Sequence, residues 1–176
     1  MRIFTFTILF IFFLSFTLYG QQINIGYVDL QRVMLESEKG KEAKKTLTEE
    51  ANKMKKTLDA KQEELQKMKD ALERQGATIT AEARAEKEKQ YQTKLRDYQR
   101  AYSDYQAELQ QKDMELTQGI LREIEEVIKA LGEKEKFTII FEKNQAGILF
   151  ATPAIDITDK VIKQYNEMTK RQAPKK

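Results

Sequence analysis

The sequence predicts an α+β chain that is mostly α: a long antiparallel helical hairpin, coiled-coil in its packing, standing on a small β-rich oligomerisation body. Three observations predict it. An apolar seam runs through Leu47, Ala51, Met54, Leu58, a polar Lys61, Leu65, Met68 and Leu72, and again through Tyr91, Leu95, Tyr98, Tyr102, Tyr105, Leu109, a polar Lys112 and Leu116. Steps of four and three alternate along it, the heptad pattern of helices that wrap around each other. The two seams are separated by a short break around Gly76, so one chain goes out and comes back. Strand-like runs lie on either side of the arms in sequence, at residues 23–29 and 137–151, so both meet where the arms begin.

At the N-terminus, Arg2 precedes an apolar run over residues 3–18 that is broken only by Thr5, Thr7, Ser15 and Thr17. A positive start and a short greasy stretch predict a Sec-type signal peptide over residues 1–20, cut after Gly20. The cut site is imperfect, because Leu18 stands where a small residue is preferred. As an uncleaved anchor the run is short: about 16 residues at roughly 1.5 Å each fall below the roughly 30 Å hydrocarbon core.

Residues 23–29 (INIGYVD) carry Ile23, Ile25 and Tyr27 at period two and predict a strand. Residues 30–37 predict one or two helical turns. From 39 to 74 no Pro occurs and Gly40 is the one Gly, among Ala, Leu, Lys, Glu and Gln, all good helix formers. Gly76 is placed to cap that helix, and Thr78 or Thr80 to start the next, with Glu82 in its first turn. The second helix is predicted over residues 81–131. Past Leu116 its apolar face broadens to Ile120, Leu121, Ile124, Val127, Ile128 and Leu131, so the helix base enters a true core. Residues 137–141 (FTIIF) predict a strand, 143–147 (KNQAG) a turn, and 148–151 (ILFA) the return strand of a hairpin. Asp156 is expected to cap a last helix, with Ile157, Val161 and Tyr165 on one face. The predicted organisation is a body from 21–38 and 120–169, a helical hairpin at 39–119, and a basic tail at 170–176.

Three short strands leave edges that other copies would cover. The residues expected to carry oligomerisation are Ile25, Tyr27, Val28, Ile139, Phe141, Ile148 and Phe150.

Composition narrows the chemistry. The 176 residues include no Cys, no His and no Trp, which excludes zinc sites built on Cys or His, cysteine nucleophiles and His acid/base catalysis. With Ser at 15, 37 and 103 alone and no His, a Ser-His triad is excluded too. Gly40-Lys41 is not a phosphate-binding loop: Glu42 replaces the needed Ser/Thr and Leu35 stands at the first Gly. No cofactor and no enzymatic activity are expected. The net charge of +3 with interspersed signs argues against nucleic acid, which calls for a concentrated basic face. Pairs such as Glu63–Lys67 at i,i+4 make most of the arm charge a solvated face. Lys53, Lys55, Lys56 and Lys87, Lys89 still offer a salt-sensitive attraction to acidic clients or anionic lipid headgroups. Gly119, inside a long helix, reads equally as a pivot for the arms or as a point of close helix packing.

The order of segments resembles the Skp (OmpH) family of periplasmic chaperones. The resemblance is carried by IGYVDLQRVM at 25–34, QGATIT at 75–80, KFTIIFEKN at 136–144 and DITDKVIKQYN at 156–166. It implies a jellyfish-like homotrimer with three hairpin tentacles around a cavity. It also implies an ATP-independent holdase that keeps unfolded outer-membrane β-barrel proteins from aggregating before membrane insertion. The family has a proposed lipopolysaccharide site of scattered basic residues, to which no local motif here corresponds.

A holdase needs many weak apolar contacts rather than one pocket, and Met-rich faces suit promiscuous binding. Under that reading Met54, Met68, Ile79, Tyr91, Tyr98, Tyr102 and Tyr105 are the candidate client-binding residues. At heptad positions the same residues also pack the seam between the arms. The competing class is a structural coiled-coil spacer or tether of the cell envelope.

Overall fold

The structure, a computed structural model, describes residues 23–75 and 78–172. The signal-peptide reading, the cap at Gly76 and the end of the basic tail lie outside those residues.

Strand β1 (Ile25–Val28) leads into helix α1 (Leu30–Glu36). Asp29 caps α1, its Oδ1 accepting the Arg32 N–H at 2.9 Å. Ser37 ends α1 and starts the next helix: its extended backbone still donates N–H to the Val33 carbonyl, while its buried Oγ accepts the Gly40 N–H at 3.2 Å. The first arm, α2 (Glu38–Gln75), runs 38 residues, about 57 Å. Its entry fixes one residue type. A Cβ on Gly40 would lie 1.8 Å from the Met34 carbonyl oxygen, so α2 passes α1 at a distance that only glycine permits.

At the tip Thr78 donates its N–H to the Gln75 carbonyl, and Thr80 caps the second arm by accepting the Ala83 N–H at 3.2 Å. That arm, α3 (Ala81–Glu135), is 55 residues long and extends four residues past the predicted end. It stops at Lys136, which takes the left-handed conformation (φ 55°), while the Phe137 N–H returns to the Gly132 carbonyl at 2.9 Å.

Strand β2 (Ile139–Glu142) pairs with β1 in parallel, with Ile25 opposite Ile139 and Tyr27 opposite Phe141. Parallel neighbours need a crossover connection, and here the crossover is the whole hairpin. The predicted return strand does not form. After the turn at 143–147, with Gly147 at φ 63°, residues 148–151 adopt no strand and make no backbone hydrogen bonds within the described chain. The two-stranded sheet is therefore β1–β2, and the segment from 152 to 157 crosses to the other edge of β1. There Asp156 bridges Tyr27 and the Ile157 N–H donates to the Tyr27 carbonyl at 3.0 Å. A return strand repays ordering only where its apolar side chains find a surface to cover, and a single chain supplies none at that edge.

A 3-10 turn at Pro153–Ile155 precedes the last helix, α4 (Thr158–Gln172). Asp156 Oδ1 accepts both the N–H and the hydroxyl of Thr158, and Thr158 Oγ1 accepts the Asp29 N–H, so α4 starts locked to the end of β1.

The core sits at this root. Val28, Val33, Ile120, Ile124, Val127, Leu131, Ile157, Val161 and Tyr165 are buried together, where the sheet, α1, the base of α3 and α4 converge. Along the projecting arms, burial among seam residues is complete only at Met54 and Leu65, 7 % and 8 % exposed. The chain is thus mostly helical, with long paired arms on a small α+β body.

Candidate functional site

Two surfaces and one buried junction stand out, and each follows from the periodicity of its element. On the arms, every seam position except Tyr102 and Lys112 is half-buried or buried. An ion pair and a hydrogen bond hold the two helices in register: Lys94 reaches Glu64 across the seam at 2.9 Å, and Lys87 donates to the Gln75 side-chain carbonyl at 3.1 Å near the tip. Among the candidate client-binding residues, Met54 is spent on the seam. Met68, Tyr91, Tyr98 and Tyr105 are half-buried, each with one flank wet, and Ile79 is half-buried at the tip. Tyr102 is 47 % exposed, and its hydroxyl accepts from Gln106. The structure brings these residues to no common pocket. It strings them along the length of the hairpin, beside open grooves such as the one of about 360 Å³ between Met54 and Leu109.

At the base, strand alternation sorts the candidate oligomerisation residues into two faces. Ile25 and Tyr27 of β1 stand beside Ile139 and Phe141 of β2 on the outer face, where Ile25, Ile139 and Phe141 are exposed and Tyr27 is half-buried. Val28 points the other way, 2 % exposed, into the chain's own core. Ile148 is half-buried, and the following Leu149 and Phe150 are 102 % and 85 % exposed. With Ile23 also exposed, the base presents an apolar surface of the kind that marks an interaction site.

The junction lies where the arms enter the body. The Glu123 carboxylate of α3 uses both oxygens: Oε1 takes Lys39 Nζ of α2 at 2.5 Å, and Oε2 takes the Tyr165 hydroxyl of α4 at 2.7 Å. Burial alone would push the Glu123 carboxyl up, but the hydrogen bonds from Lys39 and Tyr165 prevail and hold it below the usual carboxylate range. Burial, and then the neighbouring carboxylate, push the Tyr165 phenol well above its ordinary value. The phenol therefore stays a donor and the carboxylate an acceptor. Sequence reasoning placed Tyr165 on an apolar face, counted Lys39 in the solvated charge of the arms and gave Glu123 no role. The available signal was an acid set between Ile120, Ile124 and Val127 on the broadening face of α3. Gly119 sits one turn above Glu123, and among the described residues nothing would meet a Cβ there within 4 Å. Close packing is thus not what places a glycine at 119.

A cluster of end-of-strand contacts steadies the base. The Lys143 ammonium pairs with Asp29 at 3.0 Å, and Arg32 pairs with Glu36 and with Asp159. The Asp29 carboxyl is held below its usual range by the Arg32 N–H first and by Lys143 as well, against the effect of burial. Among the described residues no group of acids is placed to hold a metal ion, and no helix is long and apolar enough to cross a membrane.

A family model described as outer membrane protein (OmpH-like) matches residues 24–165. The chain belongs to the OmpH-like family. The match runs from β1 through both arms into the first half of α4, so it covers the root and the arms rather than one motif. Among solved structures, the fold is similar to that of a candidate outer membrane chaperone (OmpH-like) from Caulobacter crescentus CB15. The TM-score is 0.77 at 20 % identity, covering 83 % of this chain and 85 % of that one. No curated protein matches the chain by sequence.

Proposed function

We propose that this OmpH-like chain is an exported, ATP-independent periplasmic holdase. In this reading it works as a homotrimer and shields unfolded outer-membrane β-barrel proteins between its arms. Family membership supports a chaperone role and a place in the cell envelope. The observation that carries the finer reading is the thinness of the seam. A hairpin arm tens of ångströms long buries only Met54 and Leu65 fully, leaving tyrosine and methionine flanks half-wet along its length. At roughly 25 cal/mol per Å² of apolar area, many such partial contacts hold an unfolded chain reversibly without a pocket. Tyrosine suits the task because its ring can pack while its hydroxyl stays hydrated.

The trimer is supported by the exposed outer face of β1–β2 and by Leu149 and Phe150, which leave a single chain with uncovered apolar surface at the base. Light scattering after signal removal is expected to give three times the chain mass; a monodisperse monomer rejects the assembly. Phe150→Asp is expected to shift that mass downward.

The deciding experiment for the holdase reading is suppression of aggregation of a denatured β-barrel membrane protein. Delayed precipitation without nucleotide supports it. A chain that leaves precipitation unchanged is a spacer or tether instead. Replacing Tyr98 and Tyr102 with Ala is expected to weaken client retention more than thermal stability; equal losses assign both residues to the seam. Contact of the Lys53, Lys55, Lys56 cluster with anionic lipid or lipopolysaccharide is expected to fade with added salt.

A further inference from the structure

We infer that α4 is a clasp that sets the swing of the arms: through Glu123, Tyr165 and Asn166 it pins the first turn of α2 to the body and leaves the joint to bend one turn higher, at the level of Ala43 and Gly119.

The contacts converge on two consecutive residues of α2. The Glu38 N–H, one of the donors that a helix start leaves without a partner, is taken by Asn166 Oδ1 of α4 at 2.9 Å. The Glu38 carboxylate meets Lys170 of α4 at 2.9 Å. Lys39 meets Glu123 of α3, whose other oxygen is held by the Tyr165 hydroxyl from within the core. Ser37 and Gly40 close the same turn against α1. The beginning of the first arm is thus tied to α1, α3 and α4 at once, and α3 below Gly119 is itself part of the buried core.

Immediately above, the polar ties stop, and the next contact of α2 with the core is the small side chain of Ala43. A groove of about 380 Å³ opens between the arms, lined by Ala43, Thr46, Leu116, Gly119 and Ile120 together with the clasp residues Lys39 and Glu123. On α3, Gly119 removes the side chain at that level and weakens the helix by about 1 kcal/mol relative to Ala. Ala43 faces the groove from α2. A pair of helices bends together most easily where polar ties to the body end, and among the described residues this is the first level at which they do, although Ala43 and Ile120 still touch the core. Glu123 lies four residues below Gly119 on the same face of α3, so the clasp and the pivot are adjacent turns. Releasing the clasp would let the bend spread downward into the first turn of α2. This deepens the arm-based reading above, and it is measured without any client, so its outcome is independent of whether the chain holds unfolded proteins.

The test uses the full-length, signal-free assembly. The chain has no Cys, so Asn52→Cys on the arm part of α2 and Lys163→Cys on α4 give a clean spin-label pair across the joint. Labelled chains are diluted with unlabelled ones. Asn52 stands 13 residues, roughly 20 Å, above Lys39 on α2, so a swing of the arm changes the pair distance directly in a pulsed dipolar measurement. Glu123→Gln and Tyr165→Phe, the latter keeping the ring in the core, are each expected to broaden the distance distribution about twofold. Adding Gly119→Ala to either is expected to narrow it again. An unchanged width in Tyr165→Phe, whatever Glu123→Gln does to folding, overturns the clasp. Broadening that Gly119→Ala fails to reverse overturns the placement of the pivot.

Discussion

The root and the arms of this molecule are built from the same long helices but on different physics. At the root α3 contributes Ile120, Ile124, Val127 and Leu131 to a core that also contains Val33, Val161 and Tyr165, all essentially removed from water. Along the arms the same helix contributes half-wet tyrosines to a two-helix seam with no third layer. A lone pair of helices has nothing to cover its flanks, so fixed shape has to be supplied from below. The difference teaches that stability and exposed surface have been separated in space: the root specifies the fold, and the arms present surface at modest cost to stability.

Five substitutions break or sharpen that contrast. The largest effect is expected at the root. Leu131→Ala should cost about 2–5 kcal/mol, because the surrounding core cannot collapse onto the cavity. Gly40→Ala should fall in the same range, since its Cβ would displace the Met34 carbonyl. Thermal unfolding checks both; a change of less than about 1 kcal/mol in either would place the stabilising core elsewhere. In the arms, Leu65→Ala should cost no more than about 2 kcal/mol, because two helices close over a gap more easily than a core does. Hydrogen exchange in the middle of α2 should accelerate while the root amides keep their protection.

Acid should act on the root before the arms. The Asp29 and Asp156 carboxyls both sit below their usual range in the fold. Asp29 is held down chiefly by the Arg32 N–H. For Asp156 burial acts upward, but the hydrogen bonds from Thr158 and Tyr27 outweigh it. A carboxyl with a depressed folded pKa contributes stability that is fully present above its unfolded value and is lost as pH falls through the folded one. Stability should therefore hold down to about pH 4 and decline below it. Asp29→Asn should lower stability at neutral pH and flatten the acid limb. A parallel downward shift of the whole curve would assign the acid loss to other carboxylates.

The smallest effect is a gain. Lys136 holds a left-handed conformation at the end of α3, which costs a side-chain-bearing residue roughly 1 kcal/mol. Lys136→Gly should recover up to about that much, read as a small rise in melting temperature.

Several features were legible in sequence because they are local. Period 3.5 in the seam, the Thr80 cap, the helix-rich composition of both arms and the broadening of α3 past Leu116 each depend on residues within a few turns of one another. The same holds for β1 and β2 as strand-like runs. The hairpin expected at 137–151 shows the limit of local reading. Residues 148–151 have strand composition, yet a strand requires a partner edge, and composition does not state where that edge is.

The sequence by itself determined that two long helices pair and that an apolar base closes them, since hydrophobic period and capping act over one or two turns. Only the tertiary structure decided that β1 and β2 lie parallel with the whole hairpin as their crossover. It alone showed that Gly40 is fixed by a carbonyl of the preceding helix, and that Lys39 and Tyr165 share the Glu123 carboxylate. Gly40 and Met34 are near in sequence but face each other only once the chain turns at Ser37; the other partners lie tens of residues apart, and a charge or a phenol carries no mark in sequence of the group it will meet.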